Sequence, residues 1–238
     1  MVRWMGTLTR PLYLSILIAT CCLAAFAAPN EALSSLREIP SGQYIYREKS
    51  GDQQQTFSWQ ISYRRDFVEI TVDAEAYQTL NRCTDNGETV FWSVIKKDGS
   101  ELSAVREDDE LIINRTGADG KTIWHHTIDD HPWFQPLSYS LRPFLQSDQE
   151  SIVFWGIRMD TEKVVLLKAK KIGPESIRLE RRTEPAMKVE IRLVGLLSMF
   201  WHGTYWYSLA DGLFLRFENG VNLPGAVGKI VLVERPGG

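Results

Sequence analysis

The chain has 238 residues, of which 27 are Lys or Arg and 30 are Asp or Glu, and its formal net charge is −3 at pH 7. The charges are interspersed, which excludes the basic stripe of a nucleic-acid-binding surface and the polybasic patch of a protein that binds anionic membranes. Two of the three Cys are adjacent, at Cys21 and Cys22, and Cys83 stands alone. A framework of internal disulfides is therefore excluded as well.

Residues 1–28 have the three regions of a cleavable signal peptide. Two arginines are the only charges, an apolar run covers residues 12–26, and Ala27 and Ala28 precede a polar stretch. The apolar run is shorter than the roughly 20 residues of a membrane span. We therefore expect cleavage near Ala27 and Ala28, a periplasmic or secreted product, and no transmembrane span after cleavage. The alternatives are an uncleaved N-terminal anchor and a lipoprotein attached through Cys21, although apolar residues continue beyond that cysteine.

Residues 29–41 form a lead-in, in which residues 31–37 predict one or two helical turns. Between residues 42 and 234, apolar and polar residues alternate in several segments, as at 57–63 and 187–193. This period of two predicts strands with one face on a core and the other in water. We predict a single β domain over residues 42–234, followed by a C-terminal tail at 235–238.

Short turn signals punctuate this domain, and Asp-Gly or Asn-Gly between alternating segments favours a hairpin because Gly accepts positive φ. The signals are Asp85-Asn86-Gly87, Asp98-Gly99-Ser100, Asp119-Gly120, Gly173-Pro174, Asp211-Gly212 and Asn219-Gly220. Hairpins join neighbouring strands, and no helical crossover of βαβ length is present. The pattern therefore predicts an antiparallel meander.

Residues 129–149 interrupt the strands and separate a first group, at about 42–127, from a second, at about 150–234. Three prolines exclude one regular helix in this segment. Apolar residues at helical spacing predict a short helix that begins near Pro136 and is kinked or ended near Pro143. The expected fold is mostly β: a curved meander sheet, as a half-barrel or open barrel, with this Pro-containing helix packed near its concave face.

Two strands of the second group are apolar at successive positions, at residues 152–155 and 164–167. Side chains buried on both faces are typical of a central strand that has other elements on each side. We expect both strands to be central in the sheet, with the Pro-containing segment covering one face.

Seven Trp remain after the leader, and a dense aromatic run lies at residues 199–207. Gly203 within this run predicts a bulge or the close approach of another group. One interpretation is core packing, since large aromatic side chains dominate β cores. The other is a pocket for an apolar or amphipathic ligand, because such pockets are mostly apolar with a few polar groups. The candidate ligand-binding residues are Trp133, Phe134, Trp155, Trp201, His202 and Trp206.

A second candidate site is the cluster of His and Asp at residues 125–131. Imidazoles and carboxylates suit Zn²⁺ and other divalent ions. However, His125 and His126 are consecutive on a predicted strand and face opposite ways. His125, Asp129 and His131 are therefore weak metal candidates; we expect no cofactor and no catalytic residue. The sequence contains no nucleophile elbow, P-loop, dinucleotide fingerprint or CxxC pair.

Two segments carry a family resemblance: WFQPLSYSLR at residues 133–142, after the first strand group, and YWYSLADGLFLRFE at residues 205–218, before the final strand. Over residues 42–234 the chain resembles the half-barrel of the lipoprotein carriers LolA and LolB. It is more similar to an uncharacterised exported family of domain-of-unknown-function type. The resemblance implies a curved sheet around a short helix, an apolar concavity and a periplasmic setting, and it implies no catalytic residues. The chain departs from the carriers in lacking a clear lipobox and in its many Trp.

The function that these patterns favour is non-catalytic binding by an exported β protein. The expected partner is a lipid-like or other apolar or amphipathic ligand, or a component of the cell envelope. One alternative is a metal-dependent hydrolase that uses residues 125–131. Another is a structural interaction module that pairs with an envelope protein through exposed edge strands.

Overall fold

The computed structural model describes residues 36–180, 182–195, 201–220 and 228–237. The predicted signal peptide, the lipidation candidate Cys21 and most of the predicted helix at residues 31–37 lie outside these ranges. Leu36 and Arg37, at the end of that predicted helix, are not helical. Within the described ranges, no helix has the length and apolar character needed to cross a membrane.

The described strands form one antiparallel sheet of 14 strands, and two short helices lie between the eighth and ninth strands. The strands are β1 (Gly42–Ser50), β2 (Gln53–Tyr63), β3 (Val68–Asp73), β4 (Tyr77–Cys83), β5 (Thr89–Lys96), β6 (Glu101–Glu107), β7 (Glu110–Gly117), β8 (Gly120–Thr127), β9 (Ser151–Ile157), β10 (Val164–Arg178), β11 (Thr183–Leu193), β12 (His202–Ser208), β13 (Phe214–Asn219) and β14 (Lys229–Glu234). The helices are α1 (Leu137–Ser140) and α2 (Arg142–Gln146).

The sheet consists of two meanders joined along one pair of strands. In space the order is β8-β7-β6-β5-β4-β3-β2-β1-β14-β13-β12-β11-β10-β9, so each strand of a meander pairs with its neighbour in sequence. Strands β1 and β14 join the two meanders, with Lys49 opposite Lys229 and Tyr46 opposite Leu232. Strands β8 and β9 are the two ends of the sheet and do not pair with each other, so hydrogen bonds between strands do not close the sheet. The predicted mostly β fold, an open antiparallel meander with a short Pro-containing helix, is confirmed.

The expectation that β9 is a central strand is wrong, because β9 ends the sheet. Both faces of β9 are apolar for another reason: a segment outside the sheet packs along its edge. A single parallel bridge joins Trp133 to Trp155 of β9, and the N–H of Phe134 donates to the Trp155 carbonyl at 2.9 Å. On its other side, the Trp133 carbonyl accepts the N–H of Thr89 in β5 at 2.9 Å. The Pro-rich segment thus covers the edge of β9 and links it to the first meander.

Gln135 continues this link with its side chain. Its Nε2 donates to the Ile157 carbonyl at 2.8 Å, and its Oε1 accepts the Ile157 N–H at 2.9 Å. Its own backbone N–H donates to the Thr89 hydroxyl at 2.9 Å. The amide therefore pairs with the backbone of β9 as a neighbouring strand would, which satisfies polar groups that an uncovered buried edge would leave unpaired.

Ion pairs brace the same junction at the surface. Glu162, in the turn between β9 and β10, lies 3.1 Å from Lys96 of β5 and 3.7 Å from Arg115 of β7. Both pairs are partly exposed, so each contributes little alone. They connect the two meanders where the strands themselves do not meet.

Helices α1 and α2 occupy the concave side of the sheet, as predicted. Helix α1 begins after Pro136, and α2 has Pro143 in its first turn. The Tyr207 hydroxyl of β12 donates to the Leu137 carbonyl at 2.8 Å, which ties α1 to the second meander. On the other side, the turn at Gly87 packs directly on the backbone of Ser140.

Two predictions about glycines have different outcomes. Gly173 and Pro174 do not form a turn; they lie inside β10, where the register against β11 shifts between Lys171 and Gly173. The chain reverses instead near Leu179, whose N–H donates to the Arg182 carbonyl. Gly203 does allow a close approach, as predicted, because a Cβ there would lie 2.7 Å from the Phe217 ring.

Candidate functional site

A cavity of about 300 Å³ lies between the inner faces of the two meanders, with the start of α1 as one wall. Most of its lining is aromatic or aliphatic: Tyr46, Phe57, Trp59, Ile70, Val72, Tyr77, Trp92, Pro136, Leu137, Met159, Tyr205, Phe214, Phe217 and Ile230. The polar lining residues are Thr79, Asn81, Gln135 and Ser138. This is the composition of a site for an apolar small molecule with a few orienting polar groups.

A stack of rings fixes one wall of the cavity. Tyr46 lies between Phe57 and Phe214, with 5.5 Å between ring centroids on each side and nearly parallel planes. The Tyr46 hydroxyl also donates to the Phe214 carbonyl at 2.7 Å. Tyr205 packs against Phe217 at 4.9 Å. Rings held by such contacts have few other arrangements available, so this wall is preformed.

The start of α1 forms the opposite wall and is fixed by polar contacts at its ends. Trp59 Nε1 of β2 donates to the Ser138 hydroxyl at 3.0 Å. Gln135 is held by β9 through the two hydrogen bonds to Ile157. Two of the four polar lining residues therefore use their side chains to build the wall.

The other two, Thr79 and Asn81, are neighbours on the inner face of β4. Tyr77, Thr79, Asn81 and Cys83 alternate with residues of the outer face, as the period of two requires. Asn81 is only 4% exposed, and its Oδ1 has no hydrogen-bond partner in the described structure. Since buried polar atoms are nearly always paired, the unpaired Oδ1 distinguishes Asn81 from the other residues that line the cavity.

The cavity is uncharged at neutral pH. None of the described residues that line it is Lys, Arg, His, Asp or Glu. Burial raises the pKa of the Tyr46 hydroxyl well above its ordinary value and that of Tyr77 to about 12. Both phenols stay protonated, so the lining offers hydrogen bonds and apolar contact but no general base or acid that titrates near neutral pH.

The six predicted ligand-binding side chains lie elsewhere, and none of them lines this cavity. Trp133, Phe134 and Trp155 are brought together by the bridge to β9. Trp133 is fully buried beneath β5–β8, and Phe134 packs on Phe154 with 5.3 Å between ring centroids. Trp155 contacts the His126 ring at 5.8 Å and donates through Nε1 to Asp129. These three residues lie where the Pro-rich segment connects β9 to the first meander.

Of the other three candidates, Trp201 immediately precedes β12, and His202 and Trp206 lie on it. Trp206 lies on the opposite face of β12 from Tyr205, a cavity residue. Its ring is covered by the Arg216 guanidinium at 4.9 Å and by the Lys188 ammonium at 5.5 Å. Trp201 is half-buried against the main core, and His202 is half-buried at the start of β12. The structure does not bring these three side chains to Trp133.

Of the three weak metal candidates, Asp129 and His131 contact each other, whereas His125 pairs with a different carboxylate. His125 Nδ1 is 3.0 Å from Glu110 Oε2 on the neighbouring strand β7, whereas His131 Nδ1 is 2.7 Å from Asp129 Oδ1 beyond the end of β8. Asp129 is also bound by Trp155 Nε1 at 2.8 Å. In the part of the chain that the structure describes, no three His, Cys, Asp or Glu side chains are arranged to hold a metal ion.

The cavity residues themselves did carry a sequence signal. Thr79 and Asn81 are polar, yet they occupy positions that the alternation of β4 assigns to the core face. A polar residue at an inward position is more informative than an aromatic one, because apolar side chains belong inside by default. The composition of the aromatic run at 199–207 drew attention to Trp206 instead of to its neighbour Tyr205.

No protein-family model matches the sequence, and no curated protein does. Among solved structures, the chain is similar to the crystal structure of a beta-barrel-like protein of domain of unknown function DUF1849 from Brucella abortus. The TM-score is 0.53 at 9% sequence identity, and the match covers 84% of this chain and 100% of that one.

At this identity the likeness establishes the barrel-like fold alone. It supports the predicted similarity to a domain of unknown function. The predicted resemblance to LolA and LolB, and the predicted export, stay predictions.

Proposed function

We propose that this protein is a non-catalytic binder of a small apolar or amphipathic molecule, which it holds in the cavity between the two meanders. The observation that carries the proposal is the cavity itself: about 300 Å³ of space with an aromatic and aliphatic lining. Ligand pockets in proteins begin at about this volume. The space is partly open, so an apolar molecule can enter it and remove apolar surface from water on both sides.

The volume limits the occupant. An engineered apolar cavity of about 150 Å³ binds benzene, so by simple scaling about 300 Å³ holds roughly twelve non-hydrogen atoms. Half-buried side chains such as Val72, Tyr77 and Met159 line part of the space. A longer chain can therefore leave part of its length outside the cavity.

The setting of this activity is part of the proposal. The apolar leader at residues 12–26 favours export, and an exported binder of this kind meets its ligand in the cell envelope or outside the cell. The ligand is then an envelope lipid fragment or another amphipathic molecule of that compartment.

The test uses 1-bromooctane, whose bromine quenches Trp fluorescence on contact. Trp59 and Trp92 line the cavity, so we expect saturable quenching that fits one site. A variant that fills the cavity, Val72→Phe, should remove the saturable component. The control is Val90→Phe, because Val90 is a strand residue that is 44% exposed and does not line the cavity.

The comparison between the two variants decides the question, provided that both give the circular dichroism spectrum of the wild type. Equal quenching of Val72→Phe and wild type would show that 1-bromooctane binds elsewhere, for instance on the surface. A wild-type protein with no saturable quenching would refute the proposed function outright.

A further inference from the structure

Asn81 is one of the residues that line the cavity, and its amide oxygen Oδ1 has no hydrogen-bond partner in the described part of the protein. The residue is 4% exposed. Across the sheet it stands opposite Ile70 of β3 and Trp92 of β5, which also line the cavity. A buried amide surrounded in this way needs a polar partner inside the cavity.

Several other polar lining groups already have partners. Gln135 and Ser138 use their side chains to hold the wall at α1, and the Tyr46 hydroxyl donates to Phe214. The polar groups left to a ligand are the Asn81 amide, the Thr79 hydroxyl two residues away on the same face of β4, and the phenol hydroxyls of Tyr77 and Tyr205. Of these, only the primary amide is both buried and unpaired at its oxygen, and a primary amide can both donate and accept.

We propose that the ligand carries an uncharged hydrogen-bonding group, such as an amide or a hydroxyl, that pairs with the Asn81 side chain, and that ionised groups are excluded from this position in the cavity. This inference rests on the proposed function and adds the chemical class of the ligand. A carboxylate, phosphate or ammonium group at this position would lose its hydration without meeting an opposite charge. None of the described lining residues is charged at neutral pH, because their only ionisable side chains are phenols.

The selectivity follows from the difference between a neutral and a charged group in the same place. A hydrogen bond to Asn81 replaces one to water and gives a modest gain, which is about fivefold to tenfold in affinity. An ionised group of the same size loses its hydration without gaining an opposite charge. A site with buried polar groups of this kind therefore discriminates strongly between a neutral and an ionised ligand. The neutral ligand should be preferred even where the apolar parts are identical.

The experiment uses three probes that share one ring system: naphthalene, 2-naphthamide and 2-naphthoate at pH 7, each titrated by isothermal titration calorimetry. The amide and the carboxylate have nearly the same size and differ in charge. We expect the wild type to bind 2-naphthamide at least about tenfold more tightly than 2-naphthoate, since the carboxylate is ionised at this pH.

The matched variants separate the role of Asn81 from that of the cavity. Asn81→Leu conserves volume and should weaken 2-naphthamide about fivefold to tenfold while naphthalene changes less than about twofold. The control Asn114→Leu alters a half-buried Asn on β7 that does not line the cavity, and it should leave all three affinities unchanged. Should Asn81→Leu fail to fold, the order of the three probes on the wild type still tests the charge selectivity.

The possible results separate this inference from the proposed function. Equal affinity of the wild type for 2-naphthamide and 2-naphthoate would overturn the inference while leaving the binding function intact, and so would an Asn81→Leu variant that weakens naphthalene as much as the amide. If even naphthalene fails to bind, the proposed function fails first, and the inference falls with it.

Discussion

Replacing Gln135 by Leu tests whether its side chain closes the sheet. Leu has nearly the same volume, so the change removes hydrogen bonds without opening a hole. The Gln135 amide makes two hydrogen bonds to the backbone of Ile157, at 2.8 and 2.9 Å, and Ile157 is 5% exposed. With Leu in place, the N–H and the carbonyl of Ile157 are left buried and unpaired on that side.

The expected loss follows from those two groups. A buried polar group without a partner costs about 1–3 kcal/mol, so the variant should lose at least about 2 kcal/mol of its free energy of unfolding. For a chain of this length each kcal/mol changes Tm by about 2–4 °C, which predicts a decrease of at least about 4 °C. Differential scanning calorimetry measures this directly.

The control is Gln60→Leu, which makes the same chemical change at an exposed position of β2. Surface substitutions of this kind stay within about 0.5 kcal/mol. If Gln135→Leu and Gln60→Leu melt within about 1 °C of each other, the amide does not hold the edge of β9 and our account of sheet closure is wrong.

Three further predictions concern the packing and ionisation of single residues. Gly87→Ala should destabilise the protein by at least about 1 kcal/mol more than Gly99→Ala in chemical denaturation, because both glycines have positive φ but only Gly87 would bring its Cβ within 2.5 Å of a backbone oxygen, in α1. Burial raises the pKa of the Cys83 thiol to about 12, so peptide-resolved labelling with iodoacetamide at pH 8 should leave it unmodified until the protein unfolds. Hydrogen bonds, first from Trp155 and then from His131, lower the pKa of Asp129 to about 2. The ionised carboxylate therefore stabilises the fold above its unfolded pKa near 4, and this contribution is lost as the pH falls toward 2. Carboxyl NMR of the Trp155→Phe variant should show the pKa of Asp129 raised toward its ordinary value.

The fold was predictable because its rules are local. Alternation in segments such as 57–63 and the glycines of tight turns define each strand and hairpin, and a meander is the simplest way to join them. The place of β9 was not predictable in this way. The apolar residues at 152–155 are equally consistent with a central strand and with an end strand covered by another segment. Only the tertiary bridge from Trp133 distinguishes the two.

The cavity was less predictable than the fold, because a cavity depends on which side chains fail to fill the space between two distant segments. Strand parity placed Phe57 and Trp59 on the inner face, but nothing in the sequence indicated that β1–β4 face β12–β14 across an open space. Trp206 is the converse case. Its aromatic character suggested a pocket, whereas its position between Lys188 and Arg216 on the outer face makes it part of a cation–π cluster.

The wall at residues 135–138 has two roles, since it both covers the edge of β9 and lines the cavity. Gln135 binds β9 with its side chain and also contacts the cavity, and Ser138 is held there by Trp59. A ligand in the cavity packs against this wall, so binding and closure should stabilise each other. At one hundred times its Kd a ligand adds about 2.7 kcal/mol of stability, which is comparable to the loss expected for Gln135→Leu.

This coupling gives a prediction in the reverse direction. If part of the binding free energy is used to reorder a loosened wall, Gln135→Leu should bind naphthalene several-fold more weakly than the wild type, and a saturating concentration should raise its Tm by less. Calorimetric titration of both proteins measures the difference in affinity, with Gln60→Leu as the control. Unchanged affinity combined with a lower Tm would mean that the wall at residues 135–138 keeps its shape without the Gln135 hydrogen bonds. In that case the contacts of Trp59 and Tyr207 with α1 hold the cavity, and closure of the sheet contributes to stability alone.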